Sequence, residues 1–431
     1  MAKICSMASP LAKPQRFLIR PAPGWVELTL AELQEILKSP TQSYKFSPSA
    51  QIENGIVVLE ECDYRQAMEI VARITTAHDV EWVIHSGRVN ARAGWSEFFA
   101  KSGLAELWNA ELKQHIQLSA SVSHPVVGTA KEVRASAVSY LKTLNIMVHD
   151  TEDEVAATGR VRIECTKNRT RILVSMGGEP LFKRQYKSQF VGATAPLPEH
   201  HAAACYLWAL SQISGDLGQE ILVGKTVLAV PFAGTGTAGF ESLCRSMGLA
   251  PGLTRLHYGF EDFAFHPVQT MTTIRKRLLP KVDLSQVELM FGDIDTNVVD
   301  GLKTASEQFI ETIGRAAGLS NSSLFKADVI QNDFFKDPGV FAKSGKRIFL
   351  PLNPPYGLRL AKETGSAAIY QRLGLSLAKL GKEHSVCGYV ICPDEESWSA
   401  LLTKLKDFKT KSRHFTHGGR DVRLVAFENK S

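Results

Sequence analysis

The sequence lacks any uninterrupted apolar run that approaches the roughly 20 residues of a membrane-spanning helix. Residues 1–14 contain lysines but no central apolar block, so they do not resemble a secretory signal, and we expect them to form a disordered tail. The seven cysteines include no Cys-x-x-Cys pair. An odd number of scattered cysteines argues against a disulfide framework and against a metal site such as zinc, and favours a reducing, cytoplasmic environment.

The remaining composition is that of an ordinary globular protein. The chain has 431 residues, of which 44% are hydrophobic and 22% are charged. This length accommodates two or three domains of roughly 100–200 residues each. A net charge of +6 permits a polyanionic partner without requiring one.

Short strand patterns and helical patterns alternate through the first part of the chain. The alternation begins with a strand over residues 16–20 and ends with a hairpin formed by residues 161–165 and 171–174. No cofactor motif falls within this stretch. The pattern therefore predicts a small α+β module whose task is recognition.

Basic residues cluster where this module ends. They are Arg160, Arg162, Lys167, Arg169, Arg171, Lys183, Arg184 and Lys187. Phe182 and Tyr186 stand among the last of them, and a surface that binds phosphates and bases needs this mixture of cations and aromatic rings. A solvated hairpin edge guarded by charge would give the same pattern. We favour RNA contact because of the motifs that follow.

A strand, a glycine-rich turn and a helix follow one another from residue 226. The strand covers residues 226–230, and the turn reads Pro231-Phe232-Ala233-Gly234-Thr235-Gly236-Thr237. This order places bare backbone and a helix N-terminus against a ligand. Gly239 formally completes a Gly-x-Gly-x-x-Gly spacing, so a nicotinamide cofactor also fits the turn alone.

Acidic residues stand at the ends of the next two predicted strands. Asp293 follows a strand over 287–291 and is well placed to bind ribose hydroxyls, whereas Asp295 is a candidate helix cap. Asp328 ends a strand predicted over 324–328, where its carboxylate could accept from an adenine amino group. Asn332-Asp333-Phe334-Phe335 follows, and either Asp328 or Asp333 could instead be a turn residue.

The fourth strand of this region ends in Asn353-Pro354-Pro355-Tyr356. An exocyclic amine becomes nucleophilic when acceptors hold its N–H bonds, and Asn353 Oδ1 and the Pro354 carbonyl are suitable acceptors. Both prolines restrict the backbone, so these oxygens are aimed before substrate arrives. Tyr356 can stack on the base, which is worth roughly 1–3 kcal/mol. A Pro-rich turn with a packed tyrosine remains the alternative for this motif in isolation.

In this order, the glycine turn, Asp293 and the Asn353–Tyr356 motif resemble the Rossmann-like, S-adenosylmethionine-dependent amino methyltransferases. Residues 178–186 (Gly-Glu-Pro-Leu-Phe-Lys-Arg-Gln-Tyr) and the module before them resemble a THUMP module with its ferredoxin-like segment, and residues 195–204 resemble the link to a catalytic domain. Together they resemble the THUMP-containing RNA guanine-N2 methyltransferases, especially the family acting on large-subunit ribosomal RNA.

The resemblance implies an α/β protein with a ferredoxin-like segment over 15–60, a THUMP RNA-binding domain over 61–180 and a Rossmann-like, seven-stranded methyltransferase domain over 181–431. It implies S-adenosylmethionine as cofactor and RNA as partner, with no membrane or metal.

The resemblance also assigns roles to individual residues. The methionine part of the cofactor would lie against Pro231, Ala233, Gly234, Thr235, Gly236 and Thr237, with Asp293 on the ribose, Asp328 on the adenine and Asn353 at the methyl group. Asn353, Pro354, Pro355 and Tyr356 would clamp the target base, and Lys167, Arg169, Arg171, Lys183, Arg184 and Lys187 would bind RNA. Pro198 and His417 depart from the family pattern, which affects substrate details rather than the reaction.

Four other functions remain open at this stage. Guanine-N2 methylation of transfer RNA uses the same combination of modules, and adenine-N6 methylation uses the same clamp. A catalytically silent RNA-binding assembly factor is expected to have lost Asn353 or the glycine turn, and both are intact. Reduction with a nicotinamide cofactor leaves Asn353 without a task.

Overall fold

The computed structural model describes residues 11–89, 94–108, 115–123, 128–149, 159–167, 169–184, 186, 197–355 and 365–429. The chain divides into two compact units. The first unit has the bounds Met1–Pro21, Thr29–Lys183 and Arg255–Arg277, and the second has the bounds Ala22–Leu28, Arg184–Thr254 and Leu278–Ser431. Within the described residues, no helix combines the length and apolarity that crossing a membrane requires.

The helices and strands of the first part are β1 (Gln15–Pro21), α1 (Val26–Lys38), β2 (Ser49–Glu53), β3 (Ile56–Cys62), α2 (Tyr64–Arg73), β4 (Ala77–Gly87), α3 (Trp95–Ala100), β5 (His115–Val122), α4 (Ala130–Thr143), β6 (Met147–His149), β7 (Gly159–Cys165) and β8 (Thr170–Ser175). Those of the second part are α5 (Glu199–Leu210), α6 (Leu217–Leu222), β9 (Thr226–Val230), α7 (Thr237–Ser246), α8 (Val268–Arg277), β10 (Leu289–Asp293), α9 (Thr296–Ala317), β11 (Asp328–Gln331), β12 (Arg347–Leu352), α10 (Ser366–Glu383), β13 (Val386–Cys392), α11 (Glu395–Leu402), β14 (Phe408–His417) and β15 (Arg420–Asn429).

Local sequence signals start and stop the elements of the first unit. Asn54 and Gly55 connect β2 to β3 and both have positive φ, as a tight hairpin turn requires. The Asp63 carboxylate accepts a hydrogen bond from Arg65 N and caps α2. Thr129 and Glu132 form a reciprocal capping box that starts α4.

The first unit is built on an eight-stranded sheet with the strand order β2-β3-β1-β4-β8-β7-β5-β6. β5 is parallel to β6 and to β7, and the other pairs are antiparallel. β1 lies between β3 and β4, so the predicted ferredoxin-like segment and the predicted THUMP region contribute to one sheet. The predicted boundary between residues 60 and 61 falls inside β3.

Buried carboxylates of β4 bind arginines from β1, its neighbour, and from β7, which lies two strands away. Arg20 and Arg162 both donate to Glu81, at 2.5 and 2.9 Å, and Arg160 donates to Asp79 at 2.7 Å. Burial raises the pKa of Glu81, and the arginines oppose that shift. Arg160 and Arg162 are therefore tied to the sheet, because each is the ion-pair partner of a buried carboxylate.

Residues 255–277 belong to the first unit, although the sequence placed them in the catalytic domain. The Arg255 guanidinium is buried and donates to the carbonyl oxygens of Gly177, Glu179 and Pro180 at 2.9–3.2 Å. Of the aromatic residues that follow, Tyr258, Phe260 and Phe263 are buried, whereas Phe265 is half-buried. Main-chain carbonyl acceptors carry no residue signature, so the sequence did not show this attachment.

The second unit contains a seven-stranded sheet with the order β11-β10-β9-β12-β13-β15-β14. The first five strands run parallel, β15 is antiparallel to β13, and β14 is antiparallel to β15. Leu228 and Val230 of β9 lie in one buried cluster, and Val227 and Ala229 lie in the other. Both faces are covered, as parallel strands require, and the carboxyl ends of the parallel strands share one edge, called here the carboxyl edge.

The third strand in sequence of this sheet differs from the prediction. β11 spans Asp328–Gln331, whereas the sequence predicted a strand over 324–328. Phe325 is buried in the cluster that contains Leu228, before the strand begins. β11 itself is an edge strand with exposed ends, so the apolar signal preceded the strand, and Asp328 stands at its amino end.

The His257 imidazole of the first unit lies between two carboxylates. Its Nδ1 is 3.2 Å from Glu261 Oε2 and its Nε2 is 3.1 Å from Asp262 Oδ2, while Arg275 of α8 also approaches Glu261, at 3.7 Å. Hydrogen bonds to Asp262 and Glu261 raise the pKa of His257 to about 9. The folded chain therefore binds this proton more tightly than the unfolded chain, whose histidine titrates near ~6.5.

We expect this cluster to make the stability of the first unit pH-dependent. Because the folded pKa is raised, the stabilisation is complete below pH ~6.5 and is lost as the pH rises through about 9. Urea unfolding of the wild type and of His257→Gln across this pH range measures the contribution of His257 to the free energy of unfolding. The variant should be less stable than the wild type at pH 6 and as stable as the wild type above pH 9. A difference that does not change with pH would contradict the assignment.

Candidate active site

The carboxyl edge brings together the ends of four parallel strands in the second unit. Continuing the register of β9 with its two neighbours places Asp293 and Asn353 on either side of Phe232. Gln331, the last residue of β11, is paired with Asp293. The glycine turn, Asp293 and Asn353 therefore lie side by side, as expected of a crevice at a topological switch point.

The glycine turn leaves β9 and enters α7 with two residues at positive φ, Gly234 (50°) and Gly236 (74°). The turn is closed by a hydrogen bond of 2.7 Å from Gly236 N to Ala233 O. A side chain at Gly236 would come within 2.7 Å of the Phe240 ring, whereas Gly234 has open space around its Cα. Only glycine fits at Gly236, and the backbone at Gly234 is accessible to a ligand.

The other residues of the turn are buried. Pro231, Ala233, Thr235 and Thr237 all lie inside, and the hydroxyls of the two threonines are 2.9 Å apart. These residues shape the turn, while the half-exposed backbone at Gly234 faces outward. Direct ligand contact by the four buried residues stays a prediction.

Asp293 connects the second parallel strand to the glycine turn. Its Oδ2 accepts from Gly234 N at 3.1 Å and its Oδ1 accepts from Asp295 N at 3.1 Å. The side chain of Asp295 accepts from Asn297 N at 2.9 Å, which is the helix cap predicted for it. A carboxylate has about four acceptor positions, so Asp293 keeps capacity for ribose hydroxyls.

Ile294 was missed by the sequence reasoning. Its side chain is 66% exposed at the carboxyl edge, between two acids that each hold backbone N–H groups. Gln331 Nε2 donates to Ile294 O at 3.2 Å and fixes this segment. An apolar residue directly after the strand-end acid was the signal that could have identified it, because a flat apolar ligand surface needs such a contact.

The assignment of Asp328 to an adenine is wrong. Asp328 stands at the amino end of β11, opposite Met290 rather than beside Asp293, and it is exposed with Lys343 Nζ at 3.5 Å. The carboxyl edge receives Asn332 and Asp333 instead, since these residues follow β11 directly.

Asn332 and Asp333 are ordered by main-chain contacts. Asn332 N donates to Asp293 O at 3.0 Å, and Asp333 Oδ1 accepts from Phe335 N at 3.0 Å. In the described part of the chain, the buried Asn332 Oδ1 has no hydrogen-bond partner. An unmet buried acceptor costs about 1–3 kcal/mol, so this oxygen is a candidate ligand contact.

Asn353 follows β12 at the same edge. Its Oδ1 is buried and accepts no hydrogen bond from any residue in the described ranges. Pro354 is buried and Pro355 is exposed, while Tyr356 lies outside the described residues. Buried polar groups are almost always paired, so an unpaired oxygen held beside two prolines fits an acceptor that a ligand completes.

An aromatic wall stands beside Asn353 at this edge. The Phe232 ring lies 5.6 Å from the Phe334 ring and 5.5 Å from the Phe335 ring. The Arg372 guanidinium of α10 lies over Phe335 at 4.5 Å from the ring centre. This wall gives the edge an apolar side next to its polar acceptors.

The predicted RNA-binding cations separate into exposed and buried groups. Lys167 and Arg169 are exposed, and Arg171 is half-buried beside them on β8. Burial, together with Arg16 and Arg169, lowers the pKa of the Arg171 guanidinium. These three cations of the first unit form a positive surface. Lys183 is also exposed and lies 3.6 Å from Glu179, while Lys187 lies outside the described residues.

Arg184 is not part of a positive surface. Its side chain is 2% exposed, and its Nε lies 3.4 Å from an oxygen of Glu241, which is fully buried in α7. The Tyr186 hydroxyl donates to the same carboxylate. The prediction of RNA contact by Arg184 is therefore wrong, because the guanidinium neutralises a buried acid.

Comparisons with known proteins place the chain near methyltransferases. No family model matches it. The "Ribosomal RNA large subunit methyltransferase K/L" of Syntrophotalea carbinolica is 28% identical over 51% of this chain and 28% of the relative. The protein of that name from Pseudoalteromonas atlantica is 21% identical over 93% of this chain and 51% of the relative. The chain thus spans about half, or less, of the length of these curated relatives.

Two solved structures resemble the whole chain. A predicted N6-adenine-specific DNA methylase from Listeria monocytogenes has a TM-score of 0.68 and 18% identity, covering 96% of this chain and 97% of that one. A protein described provisionally as a methyltransferase, solved with SAH, has a TM-score of 0.67 and 17% identity, covering 97% and 99%. The mixed α/β fold with two sheets is therefore that of methyltransferase structures.

Proposed function

We propose that the chain is an S-adenosylmethionine-dependent RNA methyltransferase that modifies the exocyclic N2 amine of a guanine in large-subunit ribosomal RNA. The observation that carries the proposal is the buried Oδ1 of Asn353, which has no hydrogen-bond partner among the described residues and lies at the carboxyl edge beside the glycine turn. The names of the curated relatives support ribosomal RNA as the substrate class. The first unit would act as a THUMP-type RNA-binding module in the cytoplasm.

Asn353 and Pro354 would activate the amine. An exocyclic amine offers two N–H donors, and Asn353 Oδ1 with the Pro354 carbonyl would accept them and favour a tetrahedral nitrogen. The acceptors are fixed before the base arrives, so little reorganisation is needed at the moment of reaction. Tyr356 would stack on the base. This contact would offset part of the free energy, on the order of a few kcal/mol, that is needed to extrude the base from its stack.

The residues at the carboxyl edge fit the methyl donor. S-adenosylmethionine supplies a methyl group that its sulfonium already activates. The accessible backbone at Gly234 would hold the methionine part, Asp293 the ribose hydroxyls, and Ile294 with Asn332 or Asp333 the adenine ring. Each of the three chemical parts of S-adenosylmethionine, the methionine, the ribose and the adenine, is thus matched by at least one of these protein groups.

Labelled methyl transfer to total RNA tests the proposal. The RNA would come from a strain that lacks the gene, and the labelled nucleoside would be identified after ribosomal and transfer RNA are separated. N2-methylguanosine in large-subunit RNA is the expected product. Label in transfer RNA would change the RNA that we propose as substrate. Label as N6-methyladenosine would change the proposed base, because Asn353 Oδ1 can accept a hydrogen bond from either amine. Cofactor binding without label in naked RNA or ribosomal particles would favour a silent assembly factor.

Neutralising the positive surface of the first unit should weaken RNA binding. We expect Lys167→Ala/Arg169→Ala/Arg171→Ala to reduce the slope of log affinity against log salt by roughly 2, since each phosphate contact contributes about 0.7–0.9. The matched control removes three exposed cations of the second unit, Lys303, Arg315 and Lys382. Equal slopes for the two triple variants and the wild type would remove this surface from the RNA interface.

A further inference from the structure

The β14–β15 hairpin extends past the carboxyl edge of the second unit. β15 pairs with β13 as far as Arg423, which lies opposite Cys392, the last residue of β13. β14 and β15 continue to pair with each other until His417 faces Arg420. At about 3.3 Å per residue, three residues carry the hairpin ~10 Å beyond the end of β13.

This extension is anchored. Phe415 and Val422 face each other in it and are both 2% exposed, and the Phe415 ring lies 5.0 Å from the Trp25 ring. Gly418 and Gly419 form the two-residue turn with φ of 57° and 75°, as a tight hairpin requires. The packing of Phe415 and Val422 therefore anchors the backbone of the extension.

Four cations share one face of the hairpin. Side chains alternate along a strand, so Lys409, Lys411 and Arg413 of β14 point to the same face as His417, and the Arg413 guanidinium is held there by the carbonyl oxygen of Gly24 at 2.7 Å. Residues directly opposite each other also share a face, which adds Arg420. Lys409, Lys411 and Arg420, called here the basic stripe, are the exposed cations of this face, and the buried pair Phe415 and Val422 lies between the two lysines and Arg420 at the carboxyl edge.

The basic stripe carries uncompensated charge. Its three residues are exposed, and none has an ion-pair partner in the described part of the chain. The hairpin has two acids of its own. Arg347 binds Glu428, and Asp421 accepts a hydrogen bond from Thr416 at 3.2 Å. Among the described residues, the charges of these three cations are therefore not compensated by an acid.

Protection of an edge strand explains only part of this pattern. Lysines on an exposed edge discourage pairing with another chain, and Lys409 and Lys411 on the edge strand β14 could serve that purpose. Arg420 lies on β15, where only residues 420–422 extend past β13. An edge this short needs no guard, so protection of an edge does not account for Arg420.

We propose that the basic stripe binds phosphates of the RNA strand that flanks the target nucleotide. Phosphate contacts position a nucleic acid without reading its bases, and the stripe leads toward the edge that holds Asn353. This inference rests on the proposed function, because it takes its ligand from there. It adds a second RNA contact surface, located in the unit that carries the candidate active site.

Salt-dependent RNA binding of the full-length chain tests the stripe. The probes are a labelled short single-stranded RNA and protein-free large-subunit ribosomal RNA. We expect Lys411→Ala/Arg420→Ala to reduce the salt slope by roughly 1.4, at about 0.7 per single-strand phosphate contact, with S-adenosylmethionine affinity unchanged. Arg420→Lys should keep its share of the slope. The matched control is Lys379→Ala/Lys382→Ala, two exposed lysines near the end of α10.

The outcomes separate this inference from the proposed function. Wild-type methyl transfer with an unchanged slope for the stripe variant would overturn the stripe alone. An unchanged slope with new self-association, seen by light scattering, would identify the stripe as an edge guard and also overturn it. A wild-type chain that binds no RNA would overturn both proposals. A reduced slope without any methyl transfer would support the stripe and count against the proposed reaction.

Discussion

Asn353→Ala is expected to slow methyl transfer by about 10²–10³-fold, the loss that follows removal of one preorganised hydrogen-bond group at a reacting centre. The affinity for S-adenosylmethionine should change little, because Asn353 would lie only at the methyl group, while the other proposed cofactor contacts are at Gly234, Asp293, Ile294 and Asn332 or Asp333. Truncation also removes a buried oxygen that has no partner in the described part of the chain, so folding should not suffer. The effect should therefore appear in the rate and not in stability.

Single-turnover rates with saturating RNA and calorimetric cofactor binding separate these effects. Asn353→Asp keeps an acceptor oxygen at the same place and should retain more activity than Asn353→Ala. Asn321→Ala, an exposed asparagine away from the carboxyl edge, is the matched control and should behave as the wild type. A full rate for Asn353→Ala would show that the clamp assignment is wrong.

The carboxyl edge could be predicted from the sequence because its rule depends only on strand order. Buried parallel strands give continuous apolar runs, and the residues that follow each run meet at one edge. This reasoning placed Asn353 and Asp293 beside the glycine turn, and the bond of 3.1 Å from Gly234 N to Asp293 shows that two of these elements are in contact.

The incorrect predictions concern residues whose burial or exposure cannot be inferred from the neighbouring sequence. β11 is an edge strand with exposed ends, and the buried Phe325 precedes it. The strand was therefore predicted too early in the sequence, and Asp328 was wrongly assigned to its carboxyl end. Arg184 looks like other surface cations in the sequence. Its partner Glu241 is distant along the chain and fully buried, and only the fold brings them together. Likewise, Arg255 binds carbonyl oxygens, which every residue has.

Asp293→Ala should raise the dissociation constant for S-adenosylmethionine by about 10- to 100-fold, since hydrogen bonds to a charged group are worth about 1.5–3 kcal/mol. The carboxylate holds Gly234 N and Asp295 N and would also bind the ribose, so its loss affects both the loop and the ligand. Asp293→Asn keeps one acceptor oxygen, and its dissociation constant should fall between those of the wild type and Asp293→Ala.

Asp295→Ala is the contrasting variant. It removes the cap of α9 and should cost about 1 kcal/mol of unfolding free energy with little change in affinity for S-adenosylmethionine. Calorimetric titration and urea unfolding of the same three proteins measure both quantities. Wild-type affinity in Asp293→Ala would remove the ribose assignment, whereas equal losses of affinity in the two alanine variants would mean that the whole segment, and not the Asp293 carboxylate, supports the ligand.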